Sequence, residues 1–525
     1  MRSAVMTFAL LALLISAGQA RADLLTDAIQ DYQYHEWAQS EAKLRQLLLQ
    51  EPDNLMVHYY LGAVLQQEGK ADEAIVHYEI VARAPQPIQG IDQALAGAYI
   101  AAGKPDKALP YLEKSYRQNR ADDNAAFQYA VALQASGRVD EAADIYDGLI
   151  RSNSPLADQA RFQLGQILTS YGAYASATRT MQAIRPDSPY ASAAKSYVEA
   201  LEPVTRPLNV YASIEGFYND NPGSSSSAII GTTTPTPGGS QGVTLIGSLN
   251  SRAFEASRHL YLKLGYLYYG TFYRAQAVKQ LNFVGHFVNP AVVYKLSPAA
   301  DIELKGDFQF FFFGGQKLST NQGGTLTAAW HSADGHSVNL HASYLDKRYT
   351  RYFTVLGIAN SLEYLDARTT GIGMGVSLAG TALAKTWNGS LTLDYTFNDE
   401  KPKATANPDP LIAAKALDSR YREHALRLSA SLPLGTGASR YSLLVNANYS
   451  WKDYLNLQSG SVYPSAAGQH MKASMLTTGA RIQAMLWKKA GLTLGLGMEH
   501  TASHSQASEL TFKSNRYFAV FSAFY

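Results

Sequence analysis

The stretch GLTLGLGMEHTASHSQASELTFKSNRYFAVFSAFY, Gly491–Tyr525, decides the fold of the second half of the chain. Apolar residues alternate with polar or small residues from Leu492 to Glu499, which is the two-residue period of a strand with one apolar face. An aromatic run follows from Tyr517 to Tyr525. Because an unpaired strand edge exposes backbone N–H and C=O groups, a strand in this final position predicts a sheet that closes into a barrel.

Composition narrows the classes of function that the chain can have. The 525 residues carry a formal net charge of +2, which gives no electrostatic attraction for nucleic acid, and we expect no nucleic-acid partner. The chain contains 34 Tyr and 19 Phe but no Cys. Disulfides, thiolate metal sites and cysteine nucleophiles are therefore excluded.

The first residues have the pattern of a secretory signal peptide. Arg2 supplies a positive start, Ala4–Ala17 is a short apolar run, and Ala20–Ala22 has the small-x-small pattern of a cleavage site. We expect residues 1–22 to be removed and the mature chain to begin at Asp23. The alternative is an uncleaved membrane anchor, although the apolar run is short for a spanning helix.

A six-residue motif repeats through the first half of the chain. The motif Gly69–Ala74, GKADEA, recurs at Gly103, Gly137 and, more loosely, Gly172, at spacings of 34, 34 and 35 residues. That period is typical of tetratricopeptide repeats, pairs of helices that stack into a solenoid. We therefore predict an α-solenoid domain over residues 23–201.

Fixed positions around each motif support the same assignment. A small residue lies seven positions before each motif glycine, where two helices must approach closely, and a larger residue lies four positions after each motif alanine to fill the gap. The small residues are Gly62, Ala96, Ala130 and Gly165, and the larger ones are Tyr78, Leu112, Tyr146 and Met181. Trp37–Pro52 is similar to half of a further repeat, and Ser188–Leu201 is predicted to be a terminal helix.

The inner surface of such a solenoid is the candidate binding groove. The tetratricopeptide family usually points the second and fifth positions of each first helix into this groove. In register, these positions are Met56 and Tyr59, Gly90 and Gln93, Asn124 and Phe127, and Gln159 and Phe162. Aromatic rings among amides suit an extended polypeptide. The alternative is that the aromatic residues pack between repeats.

The periodicity changes from 3.6 to 2 after a short proline-containing linker, Glu202–Leu208. Residues 209–525 then hold fourteen candidate strands, including Gly323–Ser332, Ser361–Leu378 and Thr386–Asn398. An even number of strands is typical of single-chain bacterial outer-membrane barrels. The predicted fold is therefore an α + β multidomain chain, with an N-terminal α-solenoid followed by a 14-stranded antiparallel transmembrane β-barrel.

The predicted strand Asp301–Phe313 distinguishes the inside of the barrel from the outside. Ile302, Leu304 and Phe308 fall on one face, and charged residues fall on the other. A lipid-facing apolar surface and a polar lumen explain this alternation, whereas a soluble β-sandwich is the alternative. The same alternation predicts eight lumen-facing charges, Glu303, Lys305, Asp307, Asp394, Arg427, Lys452, Arg481 and Glu499. The alternative to a transport role is that these charges pair with one another and hold the interior together.

The gaps between predicted strands alternate in length. Gaps after even-numbered strands are short, whereas Asp220–Gly242, Asp399–Ser419 and Asp453–Met471 are long. Long connections in such barrels lie outside the cell. We therefore expect the protein in the outer membrane of a Gram-negative cell, among outer-membrane lipid, with the solenoid in the periplasm.

This arrangement resembles the surface lipoprotein assembly modifier family, the outer-membrane component of type XI secretion. The barrel of that family opens on a glycine-aromatic stretch that ends in a Tyr-Asp-x-Asn-like motif, and Gly216–Asn221, GFYNDN, is similar. Asn219 stands where the family usually has an acid, Tyr525 stands where Phe is commoner, and the Ser/Thr/Pro-rich loop after the motif is longer.

The resemblance implies a translocator rather than an enzyme. Its partners would be a secreted protein or lipoprotein client and the cellular barrel-assembly machinery, and no cofactor or catalytic motif is implied. The chain also lacks a His-Glu-x-x-His pair and a glycine-rich phosphate loop. Two alternatives remain open at this stage, an exopolysaccharide export porin with a periplasmic repeat scaffold and a barrel-embedded hydrolase or acyltransferase.

Overall fold

The computed structural model describes residues 24–206, 208–221, 239–275, 279, 281–350, 353–355, 358–360, 362–379, 389–403, 415, 419–434, 440–455, 471–487, 491–506 and 511–524. The predicted signal peptide lies outside these residues. The chain forms two compact units. The first comprises Met1–Thr169 and Ser176–Leu201, and the second comprises Ser170–Ala175 and Glu202–Tyr525.

The first unit is a stack of antiparallel helix pairs. Its helices are α1 (residues 24–33), α2 (Trp37–Gln50), α3 (Leu55–Gln67), α4 (Ala71–Ala82), α5 (Ile91–Ala101), α6 (Pro105–Gln118), α7 (Asp123–Ala135), α8 (Val139–Arg151), α9 (Ala157–Ser170), α10 (Tyr174–Gln182) and α11 (Ala191–Thr205). The predicted half repeat is α2, which follows α1. The four predicted repeats are the pairs from α3–α4 to α9–α10.

Each motif glycine forms the left-handed turn between the two helices of its repeat. The φ angles of Gly69, Gly103, Gly137 and Gly172 are 79°, 70°, 82° and 74°. Glycine adopts this conformation without the steric cost that a Cβ atom imposes. The recurrence of glycine at this spacing therefore fixes where each repeat turns.

The small residues allow the large ones to fill each repeat. A Cβ atom on Gly62 would lie 2.8 Å from the Tyr78 ring, and one on Gly165 would lie 2.6 Å from the Met181 side chain. The buried Tyr78 hydroxyl also donates to Gln66 Oε1 at 3.2 Å. Tyr146 makes the same bond to Gln134 Oε1 at 3.3 Å, two repeats later. The hydroxyl is therefore satisfied in both repeats.

The terminal helix is longer than the sequence predicts. Helix α11 runs to Thr205 and includes Pro203, so most of the predicted linker Glu202–Leu208 is helical. Pro203 lacks a backbone N–H donor, and the helix tolerates it in the last turn, where the final carbonyl groups have no intrahelical donor in any case.

Two histidines from successive helices form a hydrogen-bonded pair. Nδ1 of the buried His58 lies 2.9 Å from Nδ1 of His77, and His58 Nε2 lies 2.7 Å from the Pro52 carbonyl oxygen. A carbonyl oxygen only accepts, so His58 Nε2 donates to Pro52, and one of the two Nδ1 atoms donates to the other. Burial, and then the nearby His58, lower the pKa of His77.

The second unit is a closed barrel. Its strands are β1 (Asn209–Asn219), β2 (Ser240–Glu255), β3 (Leu260–Tyr273), β4 (Phe283–Ser297), β5 (Ala300–Phe313), β6 (Gln316–His331), β7 (Ser337–Tyr349), β10 (Ala367–Ala379), β11 (Ser390–Pro402), β12 (Tyr421–Leu434), β13 (Tyr441–Tyr454), β14 (Met471–Trp487), β15 (Leu492–Ser505) and β16 (Phe512–Phe524). A small hairpin, β8 (Phe353–Val355) and β9 (Ile358–Asn360), lies between β7 and β10. The closed sheet has 14 antiparallel strands, as predicted.

Three strands show the largest differences from the predicted boundaries. Strand β6 starts at Gln316 instead of Gly323, because Gly314 and Gly315, at φ 56° and 80°, form a tight turn after β5. Strand β10 starts at Ala367 because the preceding residues include a 3₁₀ turn, Glu363–Leu365. The third, β11, spans Ser390–Pro402 instead of Thr386–Asn398. Where a strand continues beyond the hydrocarbon, its residues are polar on both faces. The sequence of such a segment looks like that of a loop, so its strand ends are hard to predict.

Residues of the motif Gly216–Asn221 hydrogen-bond the first strand to the last. The register pairs Phe217 with Phe518 and Asn219 with Arg516. Ser514 Oγ donates to Asn219 Oδ1 at 2.8 Å, and the backbone N–H and side-chain amide of Asn515 both donate to the Asp220 carboxylate at 2.6 Å. Asn221 Nδ2 donates to the Lys513 carbonyl oxygen at 2.9 Å. The barrel seam therefore ends in a cluster of side-chain hydrogen bonds.

The two ends of the barrel differ in the length of their connections. The end of the barrel at which β1, β11 and β13 finish is called the long-loop end, because the sequences that connect these strands to the next ones are long, and the opposite end is called the short-turn end. Strands alternate apolar residues outward, such as Leu304 and Phe308 on β5, with polar residues inward. Among the described helices, none is long and apolar enough to span a membrane.

The close approach of Gly62 to Tyr78 predicts a specific loss of stability. Gly62→Ala forces the Tyr78 ring to move, and we expect the helical unit to lose about 1–3 kcal/mol of unfolding free energy. The control is Gly148→Ala in α8, where a Cβ atom meets nothing within 4 Å and alanine favours helix. Urea unfolding of the full chain in detergent, followed by circular dichroism at the helical band, measures both. Equal stability of the two variants would contradict the packing described.

The histidine pair predicts a pH dependence of the helical unit. Because the folded pKa of His77 lies below its unfolded value of about 6.5, the unfolded chain binds a proton first as the pH falls. The contribution to stability is complete above that pH and is lost below it, with a slope of at most about 1.4 kcal/mol per pH unit. We expect His77→Gln to flatten the stability profile between pH 7.5 and 5, and His35→Asn, at an exposed turn, to leave it unchanged. An unaltered profile for His77→Gln would contradict the assignment.

Candidate functional site

The lumen of the barrel is the candidate site, and one cavity shows which faces line it. Phe313 of β5 and Met475 of β14 border the same cavity of about 350 Å³. The residues that line it come from the half of the ring that runs from β5 through β1 to β14, so the cavity lies on the inner face of the barrel. By the alternation along each strand, all eight predicted lumen charges share the inward face. They are Glu303, Lys305, Asp307, Asp394, Arg427, Lys452, Arg481 and Glu499.

Most of these charges have a partner of opposite sign. Lys263 Nζ lies 2.7 Å from Glu303, Lys305 Nζ lies 3.2 Å from Asp307, and Arg427 Nη1 lies 3.1 Å from Asp394. Lys452 Nζ lies 3.8 Å from Glu423 and 4.2 Å from the centroid of the Tyr421 ring. The lumen wall is therefore lined by charges of both signs instead of a ring of one sign.

Asp307 is held more firmly than its neighbours. It accepts from Asn289 Nδ2 at 2.9 Å and from Thr325 Oγ1 at 2.8 Å, on the two adjacent strands. The side chain is buried at the wall. These bonds cross three strands, so Asp307 helps to hold the wall together.

Arg481 and Glu499 meet a charged pair that sequence reasoning missed. Both line a cavity of about 360 Å³ together with Glu215 of β1 and Phe518 of β16. Glu215 pairs with Arg516 at 2.6 Å, and Arg516 Nη2 also donates to Thr244 Oγ1 at 2.6 Å. The alternation of β1 and β16 places both residues inward and could have revealed them. Their pairing required the register of the closed seam.

A second cluster of lumen side chains that the sequence did not reveal lies toward the long-loop end. The Glu400 carboxylate pairs with Lys347 and accepts from Tyr421 at 3.0 Å and from Thr369 at 3.1 Å. These residues belong to β7, β10, β11 and β12. The sequence did not reveal this group because Lys347 and Glu400 are far apart in the chain. The β8–β9 hairpin separates β7 from β10 in sequence, whereas in the barrel β10 lies directly beside β7.

Aromatic and aliphatic side chains narrow the lumen at this end. Phe217 and Tyr273 form one buried cluster, against which Leu281 and Phe518 pack. Phe313, Leu318, Leu362 and Tyr364 form another. Leu362 directly precedes the 3₁₀ turn before β10, and Tyr364 belongs to it. The turn therefore folds against the inner wall. The cavity of 350 Å³ lies among these rings, which makes it apolar on one side and polar near Glu499 and Arg516.

The lumen wall presents both polar and aromatic groups. Paired charges and hydroxyls present acceptors and donors along the wall, and aromatic rings narrow the long-loop end. Within the described part of the chain, no group of three or more His, Asp or Glu residues is arranged to hold a metal ion.

The predicted groove residues of the helical unit differ in accessibility. Phe127 is only 9% exposed, and its ring lies 5.4 Å from that of Tyr146. Tyr59 is half-buried beside Tyr60, with ring centroids 5.6 Å apart. Phe162 is half-buried beside Tyr190 at 5.8 Å.

The polar candidates are more accessible than the aromatic ones. Asn124 is exposed, whereas Gln93 and Gln159 are half-buried. Gln93 Nε2 donates to Ser115 Oγ at 3.2 Å, so part of its amide is already occupied. Met56, at the second position of α3, is 41% exposed. The accessible surface of the predicted groove therefore consists of amides, Met56 and the outer edges of Tyr59 and Phe162.

Comparisons with known proteins identify the repeats. Residues 37–151 and 130–192 match two tetratricopeptide-repeat family models. No curated protein matches the chain. Among solved structures, YrrB, described as a tetratricopeptide-repeat protein with an unusual peptide-binding site, is 22% identical, covers 33% of this chain and 90% of its own, and gives a TM-score of 0.29. A MamA structure is 21% identical, covers 34% of this chain and 98% of its own, and gives 0.29. The N-terminal region is thus a tetratricopeptide-repeat array, and the C-terminal region is a closed 14-stranded transmembrane barrel.

The pair at the seam predicts a compensating double substitution. Arg516→Met leaves the Glu215 charge without its partner, and we expect the barrel to lose about 3 kcal/mol or more of stability. Glu215→Gln in the same chain removes that charge and should restore most of the loss. The temperature at which the folded band converts to the unfolded band on electrophoresis measures both variants. A double variant that is no more stable than Arg516→Met would contradict the pairing.

Proposed function

We propose that this protein is an outer-membrane translocator that receives a secreted protein or lipoprotein on its helical repeats and exports or displays it at the cell surface. The barrel lies in the outer membrane, and the repeat array lies in the periplasm. The proposal rests on one observation: a single chain joins a tetratricopeptide-repeat array to a barrel whose inner wall carries polar and charged side chains. The resemblance of Gly216–Asn221 to the surface lipoprotein assembly modifier family supports the same function.

The repeat array suits a polypeptide client. Amide side chains such as Asn124 and Gln159 can bond to an extended backbone, and Met56 offers adaptable apolar contact. Phe127, by contrast, stabilises its own repeat through Tyr146. We therefore assign client contact to the accessible positions and a packing role to Phe127.

The charges along the lumen favour transport of a polymer that carries both positive and negative groups over selective conduction of anions or cations. A pore that selects anions or cations carries an excess of one charge along its wall. Here Lys263 pairs with Glu303 and Arg427 pairs with Asp394. A wall of paired charges is compatible with a client that presents both signs. The proposal assigns no catalytic role to any of these residues.

A second candidate function rests on the aromatic end of the lumen. Tyr269, Tyr273 and Phe313 border the lumen cavity of about 350 Å³, and aromatic faces suit the apolar faces of sugar rings. This observation favours export of a polysaccharide. The two functions differ in which polymer reaches the surface when the chain is present.

Surface display tests the proposed function. In cells that express a small secreted or lipidated protein encoded beside this gene, deletion of the chain should remove that protein from intact-cell immunodetection. Tyr59→Ala, Asn124→Ala and Gln159→Ala together should lower display several-fold, because the client loses contact area and amide partners. Tyr34→Ala, in the turn between α1 and α2 and 68% exposed, is the matched control and should leave display unchanged.

Two outcomes would contradict the proposal. Unchanged display of the protein with loss of a surface polysaccharide would establish the second function. An epitope inserted near Gly137 that is detected on intact cells, while one near Asn407 needs permeabilisation, would reverse the orientation.

A further inference from the structure

The outer face of the barrel carries a concentration of positive charge at the long-loop end. The residues that form it, called the basic band, are Arg348, Arg368, Lys401, Lys403 and Arg422. They come from β7, β10, β11, the residue that follows β11, and β12. Arg368 and Arg422 share a face with the exposed Ile372 and Leu426, which places the basic band on the lipid side.

The basic band is not neutralised by its carboxylates. Asp346 has three cationic neighbours: Lys403 at 2.8 Å, Arg348 at 3.1 Å and Arg368 at 4.0 Å. Asp399 has Lys401 at 3.3 Å and Arg422 at 3.9 Å. Asp366 is a third carboxylate beside the band, because the next residue, Ala367, pairs with Lys347 and Pro402. Among the described residues, five cations therefore face three carboxylates, an excess of two positive charges.

The cations face outward and the carboxylates lie beneath them. The side chains of Arg348, Arg368 and Lys401 are 63%, 65% and 61% exposed, whereas those of Asp346 and Asp399 are 12% and 17% exposed. The carboxylates hold the cations in place without covering them. Guanidinium groups arranged in this way match the oxygens of a phosphate.

The depth of the basic band is fixed by the aromatic row below it. Phe397, His424 and Trp451 are cross-strand neighbours, and the rings of His424 and Trp451 stack with centroids 4.8 Å apart. Aromatic rows of this kind mark the membrane–water interface. Arg422 lies two residues beyond His424, or roughly 7 Å further from the hydrocarbon. The basic band therefore lies at the level of lipid headgroups.

An apolar groove lies on the same strands on the hydrocarbon side. It has a volume of about 550 Å³ and is bordered by Leu326, Leu340, Ile372, Met374 and Tyr395. The alanines at 328 and 342, between larger neighbours, create the depression. Ile372 is four residues from Arg368 along β10, so groove and basic band are adjacent. A headgroup in the basic band and an acyl chain in the groove would belong to one amphiphile.

We propose that the basic band and the groove bind the phosphorylated sugar headgroup and an acyl chain of the glycolipid of the outer leaflet. The inference rests on the proposed orientation, which puts the long-loop end at the cell surface. Charge complementarity selects a phosphorylated headgroup, and the groove selects a lipid over free phosphate. The bound lipid would fix this side of the barrel, β6–β12, in the outer leaflet.

Retention of diphosphorylated lipid A by the purified full-length protein, measured by native mass spectrometry, tests the headgroup. Arg348→Gln, Arg368→Gln and Arg422→Gln together should weaken retention by about ten-fold or more. The control substitutes the exposed Arg83, Arg117 and Arg151 of the helical unit with Gln, which changes the net charge equally and should have no effect. Dephosphorylated lipid A should be retained poorly by every variant.

The groove is tested separately by filling it. Ala342→Trp should weaken lipid A retention without changing the charge, whereas Ala502→Trp, on the outward face of β15, should not. Heat-modifiable electrophoresis confirms that each barrel is folded.

Three results would overturn the proposal. The first is that the Arg→Gln triple variant retains as much lipid A as the unsubstituted protein. The others are that dephosphorylated lipid A is retained as well as the diphosphorylated form, or that inorganic phosphate fully displaces the bound lipid A. Because these measurements use purified protein without a client, their failure is distinguishable from failure of surface display.

Discussion

The need to satisfy every backbone N–H and C=O group in hydrocarbon governs the second half of the chain. Helices and closed barrels alone meet this need, since each unpaired group costs several kcal/mol. The contact between β1 and β16 is therefore the interaction on which the barrel depends. Asn219 and Asp220 strengthen that contact at the long-loop end, and the Glu215–Arg516 pair strengthens it from inside. The motif that resembles a secretion family thus has a structural role that is visible in its hydrogen bonds.

Closure also creates two chemically different surfaces from one alternating pattern. Inward residues meet one another across neighbouring strands, so Lys263 reaches Glu303 and Asp307 gathers Asn289 and Thr325. Outward residues meet lipid, and their character changes with depth from Leu and Ile, through Phe397 and Trp451, to the basic band. A lumen of paired charge suits passage of a polymer, and a positively charged outer rim suits a phosphorylated headgroup.

The repeat array follows a different physical rule. Each helix pair buries its apolar face against the next, and a missing side chain at Gly62 or Gly165 makes room for Tyr78 or Met181. These are local relations at a fixed spacing, so the sequence predicts them residue by residue. The groove was less predictable, because Phe127 occupies a nominal groove position and yet packs on Tyr146. Tyr59 and Phe162 also contact neighbours within the array, Tyr59 beside Tyr78 and Phe162 beside Met181.

The sequence by itself determined the architecture: a 34-residue period specifies stacked helix pairs, and a two-residue period with an apolar outer face specifies a transmembrane barrel. It also determined on which face of a strand each charge lies, since alternation requires no knowledge of neighbours. Tertiary structure alone decided which charges meet. Glu400 joins Lys347, and five cations share Asp346 and Asp399, only because β7 lies beside β10 and the registers align these residues. Pairing between strands distant in sequence depends on register and closure, and neither is encoded in any single stretch of the chain.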